Sequence, residues 1–279
     1  MSAEENCTAC GGTVAPDGHC WDCGTRRPAH RARLEAGSQH GAAGVSDRGR
    51  VKGVNADAMA LVTAGEWTVG TVCDGVSMTP RAERAATLAA EVGARVLAVL
   101  LTEGRLPEDA LETSARRAGR AVAALAAPAA GPGPDPAGDP APACTYVAAA
   151  VGPQGVWCGW LGDSRAYWLP DRGTAFRLTE DDQGADGALT AWLGADAEDT
   201  PAHVRSYRPR EPGTVLLCTD GLTRYLADPV ALAALPPAGG DPLPRARALV
   251  DHALRAGGAD NVTVLLLPAP GSGTPPQGA

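Results

Sequence analysis

Four apolar, strand-like runs in this chain each meet an aspartate at one end, and that recurrence restricts the available folds more than any other feature. Asp74 closes TVGTVCDG, Asp163 closes VWCGWLGD, Asp220 closes TVLLCTDG, and Asp260 stands before NVTVLLL. Three of the four adjoin glycine and one adjoins asparagine. A single Asp-Gly pair is an ordinary turn dipeptide. Four carboxylates at strand ends are different, because one edge of a sandwich can gather them. Gathered carboxylates repel one another unless a cation lies between them. Oxygen-only ligand sets suit Mg or Mn rather than Zn. An aspartate shared by two ions can hold them about 4 Å apart, the spacing of two-metal phosphate-ester hydrolases. The expected chemistry is therefore metal-dependent hydrolysis of a phosphate ester.

The chain has 279 residues, which suits one large domain with an appendage or two small domains. Hydrophobic residues make up 44%, mostly Ala and Val with one Phe, so the core is built from small side chains. A net charge of −8 favours solubility and argues against general nucleic-acid binding. No apolar run approaches the roughly 20 residues that span a bilayer. The first residues, MSAEENCTAC, are acidic and lack a signal-peptide core. The expectation is a cytoplasmic monomer that does not bind membranes.

Four of the eight cysteines, Cys7, Cys10, Cys20 and Cys23, form C-x2-C-x9-C-x2-C, with Gly11 and Gly24 following the two pairs. Each CxxC turn points two thiolates at one centre, so the segment reads as a structural zinc ribbon holding one Zn. Metal binding would supply the folding energy that so small a module lacks. Two disulfides or a redox CxxC are the competing readings. Four thiolates complete a tetrahedron, which makes His19 a bystander. Cys73, Cys144, Cys158 and Cys218 are scattered along apolar runs and read as core residues.

Residues 25–44 lack periodicity and read as an arginine-bearing linker between the ribbon (1–24) and a main domain over 45–268, with an unstructured tail at 269–279. Within the main domain, a hairpin with Gly65 in its turn precedes two helices, one starting at Pro80 and one over 107–127. A Pro/Gly-rich loop fills 128–143. Strands follow at 144–151, 156–161, 165–169 and 214–219, then a helix over 245–256 and a last strand at 261–267. Residues 171–212 read as mixed and loop-rich. Strands in runs without βαβ alternation give an α+β class: two antiparallel β-sheets sandwiched between helices, preceded by the zinc ribbon.

The segments VSDRGRVKGVNADA, VCDGVS, GDSRAYWL, LTEDDQ, LLCTDGLT and GGADNVTVLLL stand in the order and sense found in the metal-dependent (type 2C) Ser/Thr protein phosphatases. The chain resembles that family in its bacterial form over roughly residues 45–268. A zinc ribbon ahead of such a domain is similar to an arrangement of actinobacterial members. The resemblance implies that Asp74 bridges two Mg or Mn ions, with the Gly75 carbonyl helping to bind one of them. Asp220 and Asp260 would complete the first site, and Asp163 with Asp220 would hold a weaker third ion. Asp57 would orient a metal-bound water from outside the ligand set. Asn261 and Thr263 would be structural. The implied activity is direct hydrolysis of phosphoserine and phosphothreonine proteins by a metal-bridging water, without a phosphoenzyme.

The chain departs from the family at several positions. Its Asn55-Ala56-Asp57 replaces the usual Asn-Glu-Asp, so a carboxylate ligand of the second ion is absent; Asp47 and Glu66 are candidates to take its place. Lys52, the sole lysine, stands where the family has an arginine that clamps the substrate phosphate. It keeps the charge and loses the bidentate fork. An exposed strand residue is its bland alternative. Asp182 replaces a usual histidine, and no histidine lies near Asp74 in sequence. The competing function is therefore a pseudophosphatase, a phosphoprotein-binding or kinase-regulating scaffold with a weakened second site. A third reading places the function in the ribbon as a nucleic-acid or protein reader. Basic residues lie mainly in the linker, and Trp21 is the one aromatic near them, which disfavours nucleic acid.

Overall fold

Runs of β-branched and small apolar residues build two antiparallel sheets in the computed structural model, which describes residues 6–15, 18–26, 32–77, 79–126, 141–198, 200–235 and 241–271. One sheet has six strands in the order β1 (Arg33–Gly37), β2 (Ala43–Asp47), β13 (Val262–Ala269), β12 (Gly213–Cys218), β8 (Arg165–Pro170) and β9 (Phe176–Arg177). The other has five: β11 (His203–Tyr207), β7 (Gly155–Leu161), β6 (Tyr146–Gly152), β4 (Trp67–Asp74) and β3 (Asp57–Ala64). A two-stranded ribbon pairs β5 (Ala143–Cys144) with β10 (Leu193–Gly194). Among the described residues the α-helices are α1 (Ala82–Thr102), α2 (Pro107–Ala123), α3 (Asp220–Thr223), α4 (Pro229–Ala234) and α5 (Pro242–Ala256).

Three apolar layers hold these elements together. Val72, Val147, Val215, Leu217, Leu265 and Leu267 fill the space between the sheets. Alanines of α1 and α2 pack with Val69, Ala148 and Tyr146 on the outer face of the five-stranded sheet. Leu249, Val250 and Ala253 of α5 cover Val45, Val264 and Leu266 on the six-stranded one. The order is helices, sheet, sheet, helices, as the strand and helix pattern implied.

Some boundaries differ from the sequence reading. The span assigned to a linker contains β1, which pairs with β2 from Arg33↔Asp47 to Gly37↔Ala43. Its side chains are mostly exposed, so no hydrophobic alternation marks it. Charge holds it instead: Arg33 meets Asp251 at 2.9 Å, and Glu35 takes both nitrogens of the Arg247 fork at 2.9 and 2.6 Å. The loop-rich stretch 171–212 contains β11, an edge strand along β7. Residues 127–140 and 272–279, which hold most of the Pro/Gly loop and tail, lie outside the described residues. The 21-residue α1 has the length and mean hydropathy, 1.6, of a membrane span. Eleven of its residues are buried against the sheet and α2, so it serves as a core helix.

Strand direction sets where function can lie. β4 and β12 run to one pole, β7 ends there, and β13 begins there. The register pairs Asp57 with Asp74, Cys218 with Arg165 and Cys218 with Val264. Residues 57, 74, 163, 220 and 260 therefore share a pole, and the turns at 38–41, 65–66 and 153–154 lie at the other.

Candidate active site

Asp74 ends β4, directly opposite Asp57. Its backbone is clamped on both sides by Thr145: the Asp74 N–H donates to Thr145 Oγ1 at 3.0 Å, and its carbonyl accepts the Thr145 N–H at 2.8 Å. Thr145 Oγ1 also contacts Ser164 Oγ at 2.7 Å, which links Asp74 to the loop that carries Asp163. Gly75 must be glycine for lack of room: a Cβ would stand 2.6 Å from the Ala82 carbonyl oxygen and 2.9 Å from that of Ala56.

Asp220 opens α3 and Asp260 precedes β13. These two segments approach so closely that a Cβ on Gly221 would lie 1.9 Å from the Asn261 carbonyl oxygen. The glycine after Asp220 is thus what lets the two strand ends meet. Asn261 ties in the preceding loop as well. Its Nδ2 donates to the carbonyls of Arg48 and Val54 at 2.8 and 2.9 Å, and its Oδ1 accepts the Ala56 N–H at 2.8 Å.

Asp57 is 2% exposed and sits in a network whose polarity is fixed. Thr219 Oγ1 and Thr263 Oγ1 both lie 2.8 Å from its Oδ2. A carboxylate accepts only, so both hydroxyls donate to it. Thr263 has then spent its proton and accepts from Ser46 Oγ at 2.8 Å, while Ser46 accepts from Asn55 Nδ2 at 2.9 Å. The other oxygen, Oδ1, is buried without a partner. Burial pushes the Asp57 carboxyl up to about 7, against the pull of the two threonines and with a further push from Asp220 and Asp260.

The carboxylates act on one another. Burial holds the Asp74 carboxyl well above its usual range, and the charges of Asp57, Asp220, Asp163 and Asp260 raise it further. Asp163 is pushed up to about 6 by burial and then by Asp220, with Gln183 Nε2 donating to its Oδ2 at 2.7 Å. Two cations already stand on this cluster. Lys52 Nζ lies 2.9 Å from Asp260 Oδ1 and 3.0 Å from Ser77 Oγ. Arg224 reaches Asp220 Oδ2 at 3.2 Å and Asp260 Oδ2 at 3.6 Å. An all-oxygen set in which Asp57, Asp74 and Asp163 have raised carboxyls, with an orphaned buried oxygen on Asp57, fits hard divalent ions.

The candidate ligands Asp74, Gly75, Asp163, Asp220 and Asp260, with Asp57 and Lys52, lie at this pole. Ala56 offers the site only backbone atoms, its carbonyl accepting the Gly75 N–H at 3.1 Å. Neither proposed substitute carboxylate replaces the missing one. Glu66 lies at the far turn, eight residues or about 25 Å of strand from Asp74. Asp47 is engaged by the Gly49 N–H at 2.9 Å and by Arg33 at 3.3 Å. Sequence reasoning missed Arg224, whose i+4 spacing from Asp220 on α3 was the available signal. It also missed His203, which joins Asp182 Oδ1 at 2.8 Å across twenty-one residues. Asp182 Oδ2 in turn accepts the Gly162 N–H at 2.9 Å, so the residue in place of the usual histidine holds the loop before Asp163.

The four ribbon cysteines converge separately. Their Sγ atoms all lie within 4.8 Å of one another, with Cys7–Cys23 at 3.6 Å and Cys10–Cys20 at 3.5 Å. A tetrahedron with Zn–S bonds of about 2.3 Å needs sulfurs about 3.8 Å apart, so the cluster fits one zinc ion. Gly11 and Gly24, at φ 76° and 70°, close the two turns with N–H bonds to the Cys7 and Cys20 carbonyls. Hydrogen bonds from Thr25 draw the Cys23 thiol down to about 6.

The comparisons with known proteins agree with this geometry. The model of the protein phosphatase 2C family matches residues 47–241, more than half of the chain, and the chain belongs to that family. A solved bacterial serine phosphatase is 21% identical with a TM-score of 0.67, covering 84% of this chain and 99% of its own. The Ser-Thr phosphatase MsPP from Mycobacterium smegmatis, solved with cacodylate, is 24% identical with a TM-score of 0.62, over 82% and 98% of the two chains. The catalytic domain of the phosphatase PstP, solved with two manganese ions, is 24% identical with a TM-score of 0.56, over 84% and 96%. At these identities the likenesses establish the fold. No curated protein matches in sequence.

Proposed function

We propose that the chain is a Mg- or Mn-dependent protein serine/threonine phosphatase. The observation that carries this reading is the convergence of Asp57, Asp74, Asp163, Asp220 and Asp260 on one pole of a type 2C fold, with Asp74 feeling the charge of all the others. Asp74, Asp220 and Asp260, with the Gly75 carbonyl, would hold two ions, and Asp163 with Asp220 a weaker third. Bound there, such ions lower the pKa of water and neutralise phosphate oxygens. Asp57, fixed through Oδ2, leaves Oδ1 free to accept a hydrogen bond from the attacking water. Lys52 supplies a point charge for the substrate phosphate, swinging from Asp260 and Ser77, which it meets at 2.9 and 3.0 Å. The ribbon is a structural Zn module at 7–24, and the catalytic unit spans 45–268 with β1 added. Bound manganese in the PstP domain of the same fold supports the choice of ion.

The test is Mn-dependent phosphate release from a phosphothreonine peptide, compared with Asp220→Asn. Loss of activity in the variant supports the reading, and equal rates end it.

Ala56 favours a second reading, a phosphoprotein-binding scaffold whose site cannot hold the second ion. Ala56→Glu separates the two. Activity that rises from nothing identifies a scaffold, and a change of only severalfold identifies an enzyme.

A further inference from the structure

The pole opposite the aspartates contains a cavity of about 530 Å³. This size lies within the range of about 300–1,000 Å³ typical of small-molecule sites. Thr68 of β4, Val151 of β6, Thr214 of β12 and Leu266 of β13 line it, together with His40 from the β1–β2 turn and Arg245 from α5. Prolines 153, 212, 268 and 270 add further apolar surface.

Arg245 is the unusual member. It is 9% exposed, and its Nε is buried with no hydrogen-bond partner. Its Nη2 makes one long bond, 3.4 Å, to the Ala233 carbonyl. Among the described residues no carboxylate comes within ion-pair distance of it. Burial holds the guanidinium below its ordinary range, and the charge of Asp171 only partly offsets this. An arginine does not escape such a position by losing its proton. Leaving it buried and unpaired is costly, and an anion placed beside it removes that cost.

We propose that this cavity binds a small organic monocarboxylate, with the carboxylate on Arg245 and an apolar body against Val151, Leu266 and the prolines. Glu66 and Asp171 line the same space. They repel a phosphate dianion more strongly than a monoanion. Nε is sealed by protein, so a carboxylate in the cavity meets the terminal Nη nitrogens of the guanidinium, a charge-assisted pairing that an uncharged amide does not reproduce. The site is independent of the phosphatase reading, because its residues lie at the other end of the strands.

Calorimetry of the full chain with butyrate, decanoate and 4-phenylbutyrate tests it, with 4-phenylbutyramide and inorganic phosphate as comparisons. Saturable binding of at least one carboxylate is expected, weakened about tenfold or more by Arg245→Gln. Thr214→Tyr, which places a bulky side chain in the cavity and keeps Arg245, should abolish binding; this variant and the amide carry the test if Arg245→Gln does not fold. Unchanged affinity in the variants, equal binding of the amide, a preference for inorganic phosphate, or no carboxylate binding at millimolar concentration each overturns the proposal. None of these outcomes depends on phosphatase activity.

Discussion

Replacing Asn261 with alanine tests whether the site is assembled by one side chain. Asn261 is 5% exposed and makes three side-chain hydrogen bonds, to the Ala56 N–H and to the carbonyls of Arg48 and Val54. Each bond to a backbone group in a part-buried setting contributes about 1 kcal/mol net, and the partners left behind have few alternatives, so the loss is about 3 kcal/mol. The loop 48–56 carries Lys52 and Ala56 and leads into Asp57, so loosening it displaces one wall of the site. Urea unfolding of the metal-free protein should show a lower midpoint with unchanged slope. KM for a phosphothreonine peptide should rise together with the loss of stability. Asn261→Asp should be worse than alanine, because it turns a carboxylate oxygen toward two carbonyls. A stability change under about 1 kcal/mol would show that the loop is held by something else, and the reasoning would fail.

Three further outcomes are expected. The folded carboxyls of Asp57 and Asp163, at about 7 and about 6, lie above the unfolded value near 3.9, so the metal-free fold binds more protons and loses stability as pH rises from about 4 to about 7. Scanning calorimetry should give a higher metal-free Tm at about pH 5 than at about pH 8, and Mn²⁺ should raise Tm more at the higher pH. Lys52→Met should raise KM for the phosphopeptide about tenfold or more with a smaller change in kcat, and Lys52→Arg should restore it, as steady-state kinetics will show. Metal analysis should find one Zn per chain, and chelation of protein already free of Mn and Mg should unfold the ribbon in NMR spectra while the main calorimetric transition of the chain stays in place.

Much of this architecture can be read from sequence, and the part that cannot has physical causes. Asp74, Asp220 and Asp260 are legible because each sits where an apolar run meets a turn residue, and the layer order follows from strands that arrive in runs. Edge strands are not legible. β1 and β11 expose most of their side chains, so period-two alternation, which records burial on one face, never forms. Of the two cations on the cluster, Lys52 stands out in sequence as the sole lysine, whereas Arg224 joins the site through distance in space, and its i+4 spacing from Asp220 alone does not separate it from a solvated charge. Long-range pairs such as His203–Asp182 depend on the register of β11 with β7, where His203 faces Trp160, and register is fixed only when the sheet closes.

The small-residue composition, which taken alone predicts only a tightly packed core, has a consequence at the site. Ala82, Ala85, Ala86, Ala89, Ala90 and Ala94 form the buried face of α1. Short side chains let this helix lie close to the sheet, close enough that Thr71 Oγ1 of β4 donates to the Ala90 carbonyl at 2.8 Å. The chain enters α1 through Arg81 in the left-handed region at φ 57°, a conformation that non-glycine residues rarely adopt. The same approach brings the first carbonyl of α1 against Gly75, where no Cβ would fit. Larger residues along that face would lift the helix and open the contact behind Asp74. The alanine content therefore bears on the active pole directly, because it sets how near a helix backbone comes to the strand end that carries the central carboxylate.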